Sequence, residues 1–409
     1  MQKNKPNILF VHLAYAEAQF CELFLYLNQK KVANAYFLTS ESERYTYQTT
    51  TQNLLSFYPD GDFDNNQYYY SGWAESGSRI SLGLLSEIKK IIQSQKIDLI
   101  VTHYLYGSPH FLYDEVDIPI ISYIEFPSYR HFGWDQQYPP QDEQRYSDKN
   151  MEMLSFYQVL KSNLTIVPSE YAKKMFPTTL QTKIKVIPDG FSPKDTQLLQ
   201  PLTAEKALPF KIGFYARTLS SEKGFEQFIK ISKALLEIDN SLQFHIFGDA
   251  KGLSYGFENQ FVEDLGYQTF KDYIINKYQI PNENYYFHKF IPKENLISAL
   301  NDIHLFLYPF QFGSSPWGLF ELLLQGKTVI ASNRCGVQEI ITNDVNGIIC
   351  DYDDIDSWVA AALDLRDHAE KRNRLAKNAL ESTKKYHIEN LANEYLKTFE
   401  TVIQNYKKG

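Results

Sequence analysis

The most constraining feature of the sequence is one local unit within residues 304–354, which reads as a strand, a loop of small residues, a helix and a second strand. Residues 305–308 form an apolar run that ends at a proline, which is typical of a buried strand. After a short polar loop, Ser315 is the predicted N-cap of a helix and Pro316 its first residue, because a proline there loses no helical hydrogen bond. The helix is predicted to end at Gly326. This order of elements indicates an α/β fold built on a parallel sheet.

The loop and the helix of this unit have the character of an anion site. A loop of small residues that leads into a helix N-terminus presents backbone N–H groups and the positive end of the helix dipole, which favour a phosphate. Glu321 lies about one turn further along, where its carboxylate would accept hydrogen bonds from the ribose of a nucleotide. An ordinary surface glutamate is an equally simple interpretation of the spacing.

Length and charge restrict the classes of protein to which the chain can belong. With 409 residues the chain is long for a single core, so two domains are expected. The formal net charge of −8 argues against a nucleic-acid partner, since a protein that neutralises phosphodiesters needs a basic surface.

Cysteine usage and hydropathy indicate the compartment. Cys21, Cys335 and Cys350 are scattered, odd in number and without metal-ligand spacing, so a reduced cytoplasmic setting is expected. The first apolar run is too short for a signal peptide, and no stretch approaches the length of a membrane span. Any membrane contact is therefore expected to be peripheral.

The first half of the chain opens with a predicted strand and helix, which is how a doubly wound α/β domain begins. Two later predicted strands lead to His103 and Glu125. The carboxyl ends of strands form the ligand site in open α/β sheets, so both residues are candidates for function. A hydrogen-bonded structural role for His103 and a salt bridge from Glu125 to Arg130 are the alternative interpretations.

Two polar stretches interrupt the pattern in this half. Residues 40–78 are Tyr-rich and poorly periodic, which predicts a long excursion from the sheet. Asp60, Asp62 and Asp64 imitate the start of a calcium loop, but the sixth position is not Gly and the twelfth is not Glu, so no metal site is predicted. Residues 128–148 are predicted to form either a long flap that faces a substrate or a purely structural loop.

The second half begins with a strand and a serine-rich turn that carries two cations. Arg217 and Lys223 lie six residues apart across this turn, which leads into a helix. Two cations at a helix N-terminus suit a diphosphate leaving group, which gains negative charge as its bond breaks. Solvated surface charge is the simpler interpretation of the spacing alone. The next predicted strand ends in a turn at Gly248.

The second half resembles the donor-binding core of the retaining glycosyltransferases of family 4, also called glycosyltransferase group 1. Three motifs carry the likeness: Tyr308-Pro309-Phe310, Trp317-Gly318-Leu319-Phe320-Glu321 and Asn346-Gly347. Arg217 and Lys223, with the glycine that follows, are similar to a further pattern of the family. The resemblance implies the α/β fold called GT-B, in which two Rossmann-like, doubly wound domains face each other across a cleft.

The resemblance also implies roles for individual residues. The residues implied to be catalytic are His103, Glu125, Arg217 and Lys223, of which the two cations would bind the diphosphate and the other two would face the sugar. The residues implied to bind the donor are Ser314, Ser315, Trp317, Gly318, Leu319, Glu321, Gly248 and Phe290. Gln19 and His131 are expected on the acceptor and sugar side. Ser254-Tyr255-Gly256 matches a feature of the closer relatives, without an assigned role.

The same resemblance implies the boundaries of the domains. Residues 1–200 are expected to form the N-terminal, acceptor-side domain, and residues 201–387 the C-terminal domain that binds the nucleotide sugar. Residues 388–409, which contain an amphipathic helix, are expected to pack back on the first domain.

The implied activity is transfer of a sugar from a UDP- or GDP-sugar to a hydroxyl of a saccharide, a lipid-linked or another acceptor such as a protein, as in polysaccharide biosynthesis. The implied enzyme is a retaining, hexosyltransferase-type glycosyltransferase that needs neither a metal nor another cofactor. One departure from the family is Gly313, which stands where many members have a first glutamate. Two alternatives stay open: a catalytically weak binding or scaffold protein, and a nucleotide-sugar epimerase of the same fold.

Overall fold

The chain forms two compact units, each built on its own parallel sheet. The computed structural model describes residues 5–15, 19–40, 53–61, 68–192, 209–252, 254–281, 283–288, 291 and 293–408. The first unit comprises Met1–His131, Gln141–Ser192 and Tyr386–Gly409, and the second comprises Phe132–Pro140 and Pro193–Lys385.

The first unit contains a seven-stranded sheet with the order β3-β2-β1-β4-β5-β6-β7. Its strands are β1 (Asn7–Val11), β2 (Asn34–Thr39), β3 (Leu54–Ser56), β4 (Leu99–His103), β5 (Ile120–Tyr123), β6 (Leu164–Val167) and β7 (Ile184–Val186). The helices that accompany them along the chain are α1 (Cys21–Gln29), α2 (Gly72–Ser94), α3 (Tyr129–Phe132), α4 (Asp142–Lys161), α5 (Glu170–Lys174) and α6 (Thr178–Gln181).

The second unit contains a six-stranded sheet with the order β10-β9-β8-β11-β12-β13. Its strands are β8 (Lys211–Thr218), β9 (Gln243–Asp249), β10 (Tyr285–His288), β11 (Leu305–Tyr308), β12 (Val329–Ser332) and β13 (Ile348–Cys350). Its helices are α7 (Phe225–Ile238), α8 (Glu258–Asp264), α9 (Phe270–Tyr278), α10 (Lys293–Asn301), α11 (Trp317–Leu324), α12 (Val337–Ile340), α13 (Ile355–Asp367) and α14 (Ala369–Thr383). The last helix, α15 (Ile388–Tyr406), belongs to the first unit, and 3₁₀ turns lie at Tyr69–Ser71, Pro109–Phe111 and Lys384–Tyr386.

The strand order explains the sequence of the central strands. β4 and β5 in the first unit, and β11 and β12 in the second, are buried over their whole length. Strands covered by helices on both faces need continuous apolar runs rather than alternation, which is the pattern that these segments have. In each sheet the order reverses beside the first strand of the unit, β1 or β8, as in Rossmann-like folds. The predicted α/β fold of two doubly wound units is confirmed.

The C-terminal helix α15 has the bounds that its amphipathic pattern predicts. Its apolar face, which includes Leu391, Tyr395 and Phe399, lies in the same core as Phe10 of β1 and Phe24 of α1. Burial of large aromatic and aliphatic side chains on one stripe is the main stabilising contribution available to such a helix.

The predicted excursion over residues 40–78 is partly wrong. Leu54–Ser56 form β3, an edge strand of the first sheet, and α2 begins at Gly72, inside the predicted excursion. The apolar face of α2 begins only near Ile80, which is why the earlier turns have no periodic signal. Asp62 and Asp64 of the rejected calcium loop lie outside the described residues.

The predicted flap at residues 128–148 is also corrected. Much of it is helical, because α3 lies near its start and α4 begins at Asp142. Gln141 and Gln144 form a capping box at the start of α4. The side chain of Asp148 in α4 accepts hydrogen bonds from the backbone N–H groups of Tyr129 and Arg130, at 2.7 and 2.8 Å. These contacts fix α3 against α4.

Residues 132–140 differ from the expected division of the chain, which assigns them to the N-terminal domain. They belong to the second unit, where Phe132 and Tyr138 are buried. The Tyr138 hydroxyl donates to the carboxylate of Glu226 in α7 at 2.6 Å, and its ring contacts Phe270 edge-to-face. We call Phe132–Pro140 the arm. Because Phe132 and Tyr138 are buried in the second unit, the arm belongs to that unit, although the residues on both sides of it in sequence belong to the first.

Within the parts of the chain that the structure describes, every helix is too short or too polar to cross a lipid bilayer.

The loops that follow β8 and β11 are locked together at one glycine. Gly224, which precedes α7, has φ of +76°, a left-handed conformation that glycine adopts without strain. A Cβ atom at this position would overlap the carbonyl oxygen of Pro309. Beside it, the N–H of Gln311 donates to the carbonyl of Glu222 at 3.0 Å. The two loops can therefore lie against each other only with glycine at position 224.

We expect Gly224→Ala to destabilise the second unit by about 2–4 kcal/mol, the sum of a positive-φ penalty and an overlap that forces the two loops apart. Gly266→Ala is the matched control, because Gly266 has φ of +83° but no atom within 4 Å of the added Cβ. It should lose only about 1–2 kcal/mol. Calorimetric unfolding of both variants measures the difference, and equal losses would show that the contact with Pro309 contributes nothing.

Candidate functional site

Two buried carboxylates support the loop between β8 and α7, which carries Lys223 and comes directly after Arg217 and Thr218 of β8. Glu222 is fully buried, lies 3.3 Å from the Lys223 ammonium and accepts the backbone N–H of Tyr255 at 2.9 Å. Glu258 is equally buried and accepts hydrogen bonds from the N–H and hydroxyl of Ser221, at 3.2 and 2.6 Å. Burial raises the pKa of the Glu222 carboxyl, Lys223 opposes that rise and Glu258 adds to it. Sequence reasoning missed both acids, because a buried glutamate has no distinctive spacing.

The two predicted cations are both held against aromatic rings. The guanidinium of Arg217 lies 5.1 Å from the ring centroid of Tyr255, and the ammonium of Lys223 lies 5.1 Å from that of Phe310. Contact of a cation with an aromatic face is favourable and leaves the hydrogen-bond donors at its edge able to reach a ligand. The structure therefore places Arg217 near the end of β8 and Lys223 in the loop that follows it, each beside an aromatic ring.

The predicted start of helix α11 is displaced by one residue. α11 begins at Trp317, and the N-cap is Pro316, whose carbonyl accepts the N–H groups of Leu319 and Phe320 at 2.9 and 3.3 Å. Pro316 has ψ of +71°, which is not helical, so Ser315 is not the N-cap. Because proline has no polar side chain, it cannot cap the first turn as a serine would. The N-terminus of α11 keeps its positive dipole end beside the loop of Ser314 and Ser315.

Glu321 is fixed by a residue of the neighbouring strand. Its carboxylate accepts the hydroxyl of Tyr215, on β8, at 2.6 Å. Burial and the negative charge of Glu321 raise the pKa of Tyr215, so this hydroxyl remains a donor throughout the physiological range. The predicted ribose ligand is therefore a half-buried carboxylate held by a second side chain, and an ordinary surface glutamate would lack that support.

Gly313 shows why the first glutamate of the family is missing. Gly313 has φ of +147°, and a Cβ there would lie 2.5 Å from the Phe310 ring and 3.3 Å from the ring of Phe132. Phe132 also packs edge-to-face on Phe312, with centroids 6.0 Å apart. Aromatic rings therefore occupy the space that a side chain at 313 would enter, and the loop takes a conformation that favours glycine.

We expect Gly313→Glu to lower stability by about 2 kcal/mol or more, through its φ and the overlap with Phe310, and to leave sugar transfer no faster than in the wild type. Gly318→Ala serves as the control for stability, since an added Cβ there meets no atom closer than 3.5 Å. A stable Gly313→Glu variant with higher turnover would contradict the packing explanation.

His103 lies at the end of β4 and pairs with a histidine that sequence reasoning missed. His12 follows β1, the neighbouring strand, and the two rings are 5.0 Å apart. Nδ1 of His12 accepts the N–H of Ala14 at 3.0 Å, and Nδ1 of His103 accepts those of Leu105 and Tyr106 at 3.2 and 3.3 Å. His103 thus has the hydrogen-bonded surroundings of the structural alternative. Its proton is on Nε2, which is the atom through which it could act on a ligand.

Burial determines the charge of this histidine pair. It lowers the pKa of His12 to about 4 and the pKa of His103 well below its ordinary value, to which the neighbouring His12 also contributes. Both imidazoles are therefore neutral at pH 7. The only feature of the sequence that could have indicated His12 is its position at the end of a strand, which it shares with His103.

The lowered pKa of His12 predicts a pH-dependent stability. Between pH 6.5 and about 4 the unfolded chain binds a proton at His12 that the folded chain does not, so stability is lost as the pH falls through this window, by at most about 1.4 kcal/mol per pH unit. His12→Asn keeps an acceptor for the Ala14 N–H but cannot titrate. Thermal unfolding from pH 7.5 to 4.5 should fall less steeply in His12→Asn than in wild type, and parallel curves would contradict the assignment.

The structure brings Gln19 and Glu125 together but places His131 elsewhere. The side-chain amide of Gln19 donates to the Glu125 carboxylate, just beyond the end of β5. Arg130 pairs with Glu152 of α4 and not with Glu125, as the alternative interpretation of Glu125 would require. His131 lies 3.4 Å from the same Glu152. Of the two residues expected on the acceptor side, Gln19 joins Glu125, whereas His131 joins a surface ion-pair cluster.

Two further predicted donor residues have different outcomes. Gly248 allows β9 to approach the irregular part of β8, since a Cβ there would lie 2.9 Å from the carbonyl oxygen of Ala216 and 2.7 Å from Leu219. This is a packing role beside Arg217. Phe290 lies outside the described residues. In the described ranges, no group of three or more His, Cys, Asp and Glu side chains has a metal-binding arrangement.

Solved structures share this fold. Sucrose-phosphate synthase from Thermosynechococcus elongatus matches with a TM-score of 0.73 and 13% identity, covering 98% of this chain and 100% of that one. A glycosyltransferase from Rickettsia africae matches with a TM-score of 0.68, 14% identity and coverage of 98% and 100%. The HepE protein of Anabaena, solved with UDP and glucose, gives 0.66, 16% and coverage of 97% and 100%. At these identities the likeness shows the GT-B fold of glycosyltransferases.

Family models identify the class of protein more closely. Residues 32–196 match the model of the glycosyl transferase family 4 group, and residues 204–382 match that of glycosyl transferases group 1. The chain belongs to the group 1 glycosyltransferases of family 4, as the sequence motifs predict, and is a sugar-transferring enzyme. A comparison with curated proteins gave no match.

Proposed function

We propose that the protein transfers a sugar from a nucleoside diphosphate sugar, UDP- or GDP-linked, to a hydroxyl acceptor with retention of anomeric configuration. The observation that carries the proposal is the placement of Arg217, near the end of β8, and Lys223, in the loop that follows, which Gly224 and the Gln311 N–H hold against the loop that precedes α11. The HepE structure, a neighbour in fold, was solved with UDP and glucose, which supports a donor of this class.

The second unit supplies the chemistry for a diphosphate leaving group. As the bond to the sugar breaks, the diphosphate gains negative charge, and cations fixed in advance stabilise that charge without reorganising. Arg217 and Lys223 donate charge-assisted hydrogen bonds to phosphate oxygens, and the first-turn N–H groups of α11 add the positive end of its dipole. Trp317, Gly318 and Leu319 form this first turn.

Glu321 binds the ribose in this proposal. A carboxylate accepts hydrogen bonds from two vicinal hydroxyls, and the bond from Tyr215 fixes its orientation before the nucleotide arrives. Loss of this contact should weaken donor binding more than it slows the chemical step, because the ribose does not change charge during transfer.

The first unit supplies the residues proposed for the sugar and the acceptor. A neutral His103 donates from Nε2 to a sugar hydroxyl, and Glu125 accepts a hydroxyl or stabilises positive charge that develops at the anomeric carbon. Gln19 holds the Glu125 carboxylate in place. Retention then proceeds by attack on the face from which the phosphate departs, with a phosphate oxygen taking the acceptor proton. The acceptor is a saccharide, a lipid-linked sugar or a protein hydroxyl, and transfer takes place in the cytoplasm without a metal.

Gly313 supports a second candidate. Because rings fill the place of the family's first glutamate, the chain loses one carboxylate that would contact the donor sugar. A catalytically weak GT-B protein that acts as a binding or scaffold partner is therefore the second candidate. Donor hydrolysis or transfer distinguishes the two.

Binding of UDP, GDP and ADP, each without metal and then with magnesium, tests the proposal by calorimetry. We expect one of them to bind without metal, and we expect Arg217→Ala or Lys223→Ala to lower its affinity by about 10- to 100-fold, the effect of losing a charge-assisted hydrogen bond, and to abolish turnover. Glu321→Ala should mainly raise the donor concentration needed.

Lys377→Ala is the control, because Lys377 is an exposed cation of α14 and its loss changes the net charge equally. It should bind as the wild type does. Unchanged binding and turnover in Arg217→Ala, Lys223→Ala and Glu321→Ala would remove the site assignment, and absence of binding by all three nucleotides would favour the scaffold.

A further inference from the structure

The segment Ser254-Tyr255-Gly256, which is similar to a feature of the closer relatives that has no assigned role, contacts Arg217 of β8 and the loop that carries Lys223. The backbone N–H of Tyr255 donates to Glu222, the acid that pairs with Lys223. The ring of Tyr255 lies beneath the guanidinium of Arg217, 5.1 Å from centroid to guanidinium carbon. Tyr255 therefore contacts Glu222, which pairs with Lys223, and also contacts the side chain of Arg217.

Glu258, the buried acid that binds Ser221 in the loop of Lys223, also holds this segment. The Ser254 hydroxyl donates to Glu258 at 2.8 Å and accepts the N–H of Gly256 at 2.9 Å. Glu258 also accepts the N–H and hydroxyl of Ser221, so its two oxygens bind both segments. A Cβ on Gly256 would overlap the Glu258 carboxylate and lie 2.8 Å from the Ser221 hydroxyl. Tyr255 is thus fixed from its backbone as well as from its ring.

The arm fixes the ring from another side. Phe132, buried at the start of the arm, packs edge-to-face on Tyr255 with centroids 5.8 Å apart. Tyr138, further along the arm, is anchored by its hydrogen bond to Glu226. Phe132 is buried and Tyr255 half-buried, and an edge-to-face contact between them restricts the orientation of both rings. The aromatic surface offered to Arg217 is therefore rigid.

We propose that Tyr255 is a positioning residue for the diphosphate, acting on Arg217 through its ring and on Lys223 through Glu222. The proposal rests on the function proposed above and deepens it. An arginine side chain has several rotatable bonds, and ordering it only when the ligand binds reduces affinity. A fixed aromatic face under the guanidinium removes part of that loss before binding and adds a cation–π contact. Lys223 gains the same advantage from a carboxylate that Tyr255 holds in place.

The test compares Tyr255→Leu with Tyr255→Phe, using UDP, GDP and ADP and the corresponding monophosphates as probes. Tyr255→Leu should lower diphosphate affinity by about three- to tenfold and monophosphate affinity by less, because one phosphate fewer depends on the two cations. Tyr255→Phe keeps the ring and should bind as the wild type does. If the wild type binds a diphosphate, an equal affinity in Tyr255→Leu, or equal losses for diphosphates and monophosphates, would overturn the proposal.

A second measurement separates this proposal from the function on which it rests. Nucleotide-free crystal structures of the two variants should show Arg217 well ordered in Tyr255→Phe and displaced or disordered in Tyr255→Leu. An unmoved Arg217 in Tyr255→Leu would overturn the positioning role even if the wild type binds diphosphates. Wild-type protein that binds no nucleotide, with Arg217 displaced in Tyr255→Leu, would instead overturn the function and leave the positioning of Arg217 supported.

Discussion

The packing of Gly224 against the carbonyl of Pro309 is the contact on which the candidate donor site depends. β8 and β11 are neighbours in the sheet, so the loops at their carboxyl ends emerge side by side, and glycine allows them to touch. Arg217 lies near the end of β8 and Lys223 in the first loop, whereas the Phe310 ring and the N-terminus of α11 follow β11. The buried carboxylates of Glu222 and Glu258 then stabilise the first loop through hydrogen bonds to the segments around it. Parallel-sheet topology brings the parts together, and one backbone contact sets their spacing.

Sequence reasoning succeeded where a segment is buried on both faces or along one stripe. The continuous apolar runs of β11 and β12 and the amphipathic pattern of α15 fix those elements nearly to the residue. It failed for the first turns of α4, which are mostly exposed and polar and therefore show no periodicity. It also assigned the arm to the first domain, because only the tertiary contacts of Phe132 and Tyr138 reveal where that segment belongs.

The candidate site likewise contains residues that the sequence indicates and residues that it does not. Arg217, Lys223 and Glu321 could be nominated as site residues because they belong to spaced motifs, and the structure shows each in contact with a supporting residue. The supports themselves, such as Glu222 and Tyr215, carry no local signal, since a buried acid or a hydrogen-bonded tyrosine is recognised only from its surroundings. The contact of His131 with Glu152 of α4 could not be foreseen, because a loop's sequence does not show which helix it packs on. From the sequence, Gly313 shows only that the family's first glutamate is absent, whereas the structure shows that the rings of Phe310 and Phe132 occupy the space of a side chain there.

The role of the joined loops is tested most directly by a crystal structure of the protein with whichever of UDP, GDP and ADP it binds. The predicted result is a diphosphate that contacts Arg217, Lys223 and the first turn of α11, with the ribose hydroxyls on Glu321. A nucleotide bound with its diphosphate away from both cations would contradict the assignment of this loop pair as the donor site.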